Sequence, residues 1–235
     1  MAGTYFFSFR SPYSWLASLA LKDRIEASSA RDALTLVPFW EPDAVSRATL
    51  DAHGGEFPYR AMSDAKHRYI LKDIKRLATA RGIPMTWPVD PAPWWEPSHL
   101  GWIAANEVGY GLPFFWEVYA ARWQDGLNIS DTQVIEHVAL RTKMPQAEAS
   151  FIARATSDPD IRAKAAEYLH KIWMKDVFGV PMFVAGREQF WGLDRLDEFI
   201  AYLDAGGRRR ETPPPALKPG TGAAAIDFDH AGGCG

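Results

Sequence analysis

Cysteine is the residue this sequence most nearly lacks: it occurs once, at Cys234, in a chain of 235 residues. One thiol cannot close an internal disulfide, so a disulfide scaffold and a two-cysteine redox centre are both excluded. The same count excludes a cysteine-rich zinc site. Basic charge is not in excess either. Lys and Arg number 26 against 29 Asp and Glu, giving a formal net charge of -3 and a pI of about 6.1. Neutralising phosphates calls for a basic surface, so nucleic acid is not the expected partner. No apolar run approaches the roughly 18 residues of a membrane span. The start, Met1-Ala2-Gly3-Thr4, lacks the basic n-region of a secretory signal. The expectation is a cytoplasmic protein with no membrane partner.

Apolar and aromatic residues are abundant. Hydrophobic residues make up 47% of the chain and aromatics 13%. That is enough for a sizeable core and rules out a wholly disordered protein. Ten tryptophans exceed what such a core needs. Most serve packing, and some can wall a pocket for a flat or apolar ligand.

The patterning changes along the chain. Thr4 to Phe9 reads as a strand because its aromatic run is too short for a helix. Ser11 suits an N-cap and Pro12 the first helical position, where a missing N–H costs nothing. A helix follows to about Ala27, then a strand over Leu34 to Phe39. This opening predicts a parallel strand pair joined by a right-handed crossover. From about Ser63 to Phe178 the pattern is helical. One helix runs from Met62 and ends at Arg81-Gly82, and others are predicted over Ser98–Gly109, Pro113–Asp125, Ser130–Arg141, Pro145–Ala155 and Pro159–Lys175. Ser130 with Gln133 has the spacing of a capping box. Ile83 to Pro97 holds five prolines and Trp87, Trp94 and Trp95, which makes it an extended loop. Met182–Ala185 and Gln189–Trp191 flank the turn Gly186-Arg187 as a hairpin, and Leu193–Leu203 closes the fold as a helix. The expected architecture is an α/β domain (1–46 and 177–205) interrupted by an all-helical insertion (47–176). Residues 206–235 hold seven glycines and four prolines, the composition of a flexible tail.

Two segments can carry chemistry. Ser11-Pro12-Tyr13-Ser14 lies where a strand hands over to a helix. Free N–H groups and a partial positive charge there favour an anion, including a thiolate. By itself Ser11 reads as a cap. Gly179-Val180-Pro181 places a proline at the start of a strand after a turn, a position where cis bonds occur, although the base rate alone does not establish one. His67, His99, His137 and His170 are scattered without metal-ligand spacing, so no metal is expected. Lys171, Lys175 and Asp176 read as a solvated face.

The chain resembles the 2-hydroxychromene-2-carboxylate isomerase family, which is close to the kappa-class glutathione transferases within the DsbA-like thioredoxin-fold proteins. The resemblance rests on Tyr5 through Ser14, on Asp176 through Phe183, and on Phe190-Trp191-Gly192-Leu193-Asp194-Arg195-Leu196. The stretches Arg76 to Pro84 and Asp125 to Asp131 agree as well. It covers residues 4–204 and makes the α/β domain thioredoxin-like. It implies that Ser11 hydrogen-bonds the sulfur of bound glutathione. Val180, before a cis Pro181, would offer its backbone to the cysteinyl unit, and Asp194 would take the γ-glutamyl ammonium. It implies a homodimer and a small-molecule second substrate, for which Tyr13, Phe39, Arg47 and Trp87 are candidate contacts.

The departures from the family are specific. Leu193 stands where a hydrogen-bonding side chain is usual, a loss of about 1 kcal/mol. Trp40-Glu41-Pro42-Asp43 replaces the aliphatic and glycine residues that follow the second strand. Arg47 and His53 are the nearest counterparts of the polar residues that hold the aromatic acid. The thiol site is thus largely kept and the second-substrate site altered. The implied activity is a glutathione-dependent isomerase of a conjugated (aromatic or polyene) acid, working by reversible thiol conjugate addition. A kappa-like glutathione transferase or peroxidase and a non-catalytic binding protein are the alternatives. The terminal Gly233-Cys234-Gly235 resembles the Cys-Gly end of glutathione itself, a possible occupant of the thiol site.

Overall fold

The computed structural model describes residues 2–25, 34–59 and 62–208. The expected tail containing Cys234 and the expected helix end near Ala27 fall outside these residues. Strand β1 (Gly3–Phe7) is the interior of a four-stranded sheet in the order β2-β1-β3-β4. β2 (Leu34–Pro38) runs parallel to it, with Tyr5 opposite Leu36. β3 (Met182–Ala185) runs antiparallel, with Tyr5 opposite Phe183, and β4 (Glu188–Trp191) completes the hairpin. Tyr5, Phe6 and Phe7 are all buried. A strand covered on both faces reads as a continuous apolar run rather than an alternating one. Gly186, at φ 62°, makes the hairpin turn in a conformation that favours glycine.

Helix α1 (Pro12–Ile25) follows β1, and α9 (Leu196–Asp204) closes the chain behind a short 3-10 turn at Leu193–Arg195. A Cβ on Gly3 would lie 2.8 Å from Phe199 Cζ, so the close approach of α9 to β1 requires glycine there. Between β2 and β3 the described residues form α2 (Ala44–Ala52), α3 (Asp64–Ala80), α4 (Glu96–Glu107), α5 (Gly111–Trp123), α6 (Thr132–Arg141), α7 (Gln146–Ala153) and α8 (Pro159–Met174). No strand occurs in this interval among the described residues. None of the described helices is long and apolar enough to cross a membrane. Residues Glu96 to Ala105 of α4 are buried on every side, which makes α4 the central helix of the insertion.

Three local expectations are corrected. α2 was not anticipated, and the boundary at 46/47 cuts through it; Asp43 caps it by accepting the Ser46 N–H. α4 starts at Glu96 rather than Ser98, because Pro97 fits its first turn, where no N–H is required. The Ser130 capping box does not form. Asp131 caps α6 by accepting the Gln133 N–H, and Ser130 Oγ accepts the Trp94 N–H at 2.9 Å. A carboxylate one residue nearer the helix supplies the stronger acceptor.

A charged cluster ties α2, α4 and α8 together. Arg162 donates to both Asp43 oxygens at 3.0 Å, to Ser46 Oγ at 2.8 Å and to the Thr156 carbonyl at 2.8 Å. Glu96, wholly buried, accepts the Asp43 N–H at 2.8 Å and lies 3.7 Å from Arg162 Nη1. Burial pushes the Glu96 carboxyl up. For Asp43 burial also acts upward, but donation from Arg162, Ser46 and Trp94 outweighs it and holds the carboxyl low. Arg162→Met strands two carboxylates without their cation. Urea unfolding is expected to show a loss of about 3 kcal/mol, with Arg162→Lys recovering only part because it lacks the planar fork.

Candidate active site

The turn that leaves β1 is held from the insertion. The Phe9 N–H donates to His99 Nε2 at 3.2 Å, and Ser8 Oγ lies 3.3 Å from the same nitrogen. The Tyr119 hydroxyl donates to the Ser8 carbonyl at 3.2 Å, and Trp123 Nε1 donates to the Phe9 carbonyl at 3.1 Å. His99 comes from α4 and the other two from α5. His99 Nδ1 lies 2.7 Å from the Trp95 carbonyl. A nitrogen facing a carbonyl must carry the proton, and one facing an amide N–H must not. The ring is therefore the neutral Nδ1–H tautomer. Complete burial, with Arg122 and Arg10 nearby, drives its pKa down to about 3. Trp40 stacks on this ring, centroids 5.8 Å apart. The Trp40 departure thus supports the turn.

On this turn sits Ser11. Its carbonyl accepts the Trp15 N–H at 3.0 Å and its Oγ accepts the Ser14 N–H at 3.1 Å. Ser11 is therefore the N-cap of α1. That bond uses a lone pair and leaves the hydroxyl proton available for donation. Ser14 is different. It is wholly buried, its Oγ accepts the Ser8 N–H at 3.3 Å, and its carbonyl accepts the Tyr5 hydroxyl at 2.8 Å. The second serine of the motif is a structural residue.

The Val180–Pro181 bond is cis. The Pro181 carbonyl accepts the Gly192 N–H at 2.9 Å. Gly192 has φ 103°, and a Cβ there would lie 2.7 Å from Asp194 Oδ1, so this turn admits only glycine. The backbone N–H and C=O of Val180 have no hydrogen-bond partner among the described residues.

Two clefts flank these elements. The larger, about 590 Å³, contains Ser11, Tyr13, Phe39, Trp87 and Val180. The smaller, about 440 Å³, contains Tyr13, Pro181, Leu193 and Asp194, together with Arg24, whose Nε donates to Asp197. Tyr13 belongs to both and forms the partition. Its hydroxyl donates to Asp73 Oδ2 at 2.7 Å, which holds α3 against α1. The structure thus gathers every candidate residue except Arg47. Arg47 is exposed on α2 and lines neither cleft, because the unanticipated helix turns it outward. His53 is likewise outside, with Nδ1 2.7 Å from the Thr49 carbonyl. Among the described residues no cluster could hold a metal ion.

The charged residues of the larger cleft were missed. Arg122, on α5, is 3% exposed, and its Nη1 and Nη2 donate to the two Asp90 oxygens at 2.8 Å each. Its guanidinium stands 5.1 Å from the Trp95 ring centroid and 5.0 Å from that of Trp123. This pair anchors the proline-rich loop to α5. Arg10 and Glu41 meet at 3.1 Å on the cleft wall. Arg10 is adjacent to Ser11 in sequence, a signal that was available. His99 lies 90 residues from Phe9 and Arg122 lies 32 from Asp90, with no local pattern to mark either.

The DSBA-like thioredoxin domain model matches residues 4–204. A curated 2-hydroxychromene-2-carboxylate isomerase from Sphingobium xenophagum is 23% identical over 201 residues, covering 85% of this chain and 96% of that protein. Its namesake from Pseudomonas putida is 25% identical over 193 residues, covering 82% and 89%. Among solved structures, a 2-hydroxychromene-2-carboxylate isomerase superposes with a TM-score of 0.60 at 21% identity, over 86% of this chain and 94% of that one. The cytosolic disulfide reductase DsbM from Pseudomonas aeruginosa, solved with GSH, superposes with a TM-score of 0.56 at 17% identity, over 88% and 98%. These superpositions establish the thioredoxin-like fold.

The buried imidazole has a measurable consequence. Its folded pKa of about 3 lies below the ordinary value of about 6.5. Between those values the unfolded chain binds a proton that the native one does not, so stability falls as pH falls. One such group contributes up to about 1.4 kcal/mol per pH unit. Urea unfolding of His99→Gln, followed from neutral pH to pH 5, should show a correspondingly shallower decline than wild type. Equal slopes would remove His99 from this role.

Proposed function

Because the chain belongs to the DSBA-like thioredoxin domain family, we propose that it is a glutathione-dependent isomerase of a conjugated acid. The observation that carries this reading is the Ser11 turn. A helix N-terminus and a hydroxyl with a free proton line the same cleft as the unpaired backbone of Val180. A tripeptide thiol fits what is there. Val180 offers a donor and an acceptor to a cysteinyl unit, and the smaller cleft offers Asp194, now paired with the exposed Arg195 at 3.2 Å, to an ammonium group and the donors of Arg24 not taken by Asp197 to a carboxylate. The two serines and the single cysteine leave no dithiol chemistry at this turn, which separates the chain from the disulfide reductase it superposes on. Two curated relatives named as isomerases support the isomerase reading.

Glutathione would supply a thiolate that adds reversibly to the conjugated double bond, so that rotation about the resulting single bond and loss of the thiol give net isomerisation without oxidation or reduction. Ser11 holds the sulfur as an anion. A hydrogen bond to a charged group contributes about 1.5–3 kcal/mol, or about one to two pKa units. Lowering a thiol from about 8.5 to about 6.5 raises its ionised fraction at pH 7 from about 3% to about 75%. Nucleophilicity falls with pKa along a Brønsted slope of about 0.4–0.5, so the net gain is under about tenfold. The larger contribution comes from holding the acid beside the sulfur, where effective molarities can exceed about 10⁵ M. That task falls to the aromatic walls of the larger cleft.

Calorimetry with glutathione in buffers of different ionisation enthalpy tests the reading. Wild type should bind it and release protons at pH 7. Ser11→Ala should bind with a thiol pKa about one to two units higher and release correspondingly fewer. Absence of binding, or identical proton release, would refute the proposal.

A further inference from the structure

The larger cleft holds two guanidinium groups against one indole. Trp95, 6% exposed, has Arg10 at 5.1 Å and Arg122 at 5.1 Å from its ring centroid. Each is paired with a carboxylate, but the pairs differ. Arg122 is buried and meets Asp90 through two bonds of 2.8 Å. Arg10 meets Glu41 through Nη1 alone at 3.1 Å, with side chains 41% and 48% exposed. An exposed single-contact pair contributes about 0.2–1 kcal/mol, and its partner is readily exchanged. A guanidinium presents five N–H donors in a plane. Glu41 takes one of them, and Arg10 makes no other hydrogen bond among the described residues. Its guanidinium carbon stands 5.1 Å from the Trp95 ring centroid, a cation–π contact that favours keeping the group over that ring.

We propose that Arg10 is the specificity-determining anchor for the carboxylate of the second substrate, a flat conjugated organic acid, and that Glu41 occupies this position until the acid displaces it. The inference rests on the reading of this cleft as a thiol-dependent site. Arg10 directly precedes Ser11, so the acid is gripped one residue from the group that holds the sulfur. Trp87 and Phe178, both partly exposed in the same cleft, face the body of the acid. Glu41 belongs to the segment Trp40–Asp43 that departs from the family. The altered second-substrate site is therefore a rebuilt one, in which the cation sits on the β1–α1 turn rather than on the segment after β2.

The probes are trans-cinnamate and its neutral isostere trans-cinnamamide, titrated by calorimetry with and without glutathione. Wild type should prefer the acid. Arg10→Gln should weaken cinnamate about tenfold or more, the effect of losing a charge-assisted pair. It should leave cinnamamide and glutathione affinities within about twofold. Glu41→Gln, which removes the competing carboxylate, should tighten cinnamate. Lys66→Gln, altering another cation of the cleft, should change it less than Arg10→Gln. The proposal is overturned if wild type does not bind cinnamate or binds both probes alike. It is also overturned if Lys66→Gln rather than Arg10→Gln abolishes the preference, or if Arg10→Gln impairs glutathione instead of cinnamate. Cinnamate discrimination through Arg10 without any glutathione binding would uphold the anchor and reject the thiol reaction.

Discussion

The hydrogen bond from the Phe9 amide to the buried Nε2 of His99 is the constraint on which the site depends. Residues 8–11 leave the sheet without a strand partner, and unpaired backbone groups in a dry interior cost several kcal/mol. The insertion meets that need from α4 and α5, through His99, Tyr119 and Trp123. Ser11 therefore takes its position from residues about ninety to more than a hundred positions away. The same burial that makes the imidazole a reliable acceptor removes it from acid–base chemistry, since a ring with a pKa of about 3 carries no charge near neutrality.

The segment after β2 couples the rest of the site to this turn. Trp40 stacks on His99, Glu41 pairs with Arg10, and Asp43 caps α2 while receiving Arg162. Three of the four positions from Trp40 to Asp43 thus touch the turn, the cleft wall and the insertion core. Arg122 and Asp90 do comparable work on the far side by fastening the proline-rich loop. With both walls fixed, the cleft presents aromatic faces and, at Arg10, a cation held by a single exposed contact. This suits positioning a flat acid more than tuning a thiol pKa, in keeping with the small net gain that ionisation alone provides.

The parts legible in the sequence were those with local physical causes. The aromatic β1, the Ser11-Pro12 start of α1, the Pro159 start of α8 and the hairpin at Gly186 all carry their signal within a few residues. The resemblance drew attention to the cis bond at Pro181, which base rates alone did not support. α2 escaped notice because Leu50 is its only buried apolar residue and its cap, Asp43, sits in a segment read as a departure. Arg47 was misplaced for the same reason. His99 and Arg122 had no legible role because their meaning is tertiary. A buried imidazole or guanidinium is defined by partners that sequence spacing does not reveal.

The most direct test of this account is the state of the His99 ring in the wild-type protein, read by long-range ¹H–¹⁵N NMR between about pH 8 and about pH 5, a range that spans the ordinary histidine pKa. The account predicts a protonated Nδ1 and a bare, hydrogen-bonded Nε2 across the whole range, with no titration. A ring that titrates near its ordinary value, or one that carries its proton on Nε2, would contradict it. The Ser11 turn would then be held by something other than the insertion.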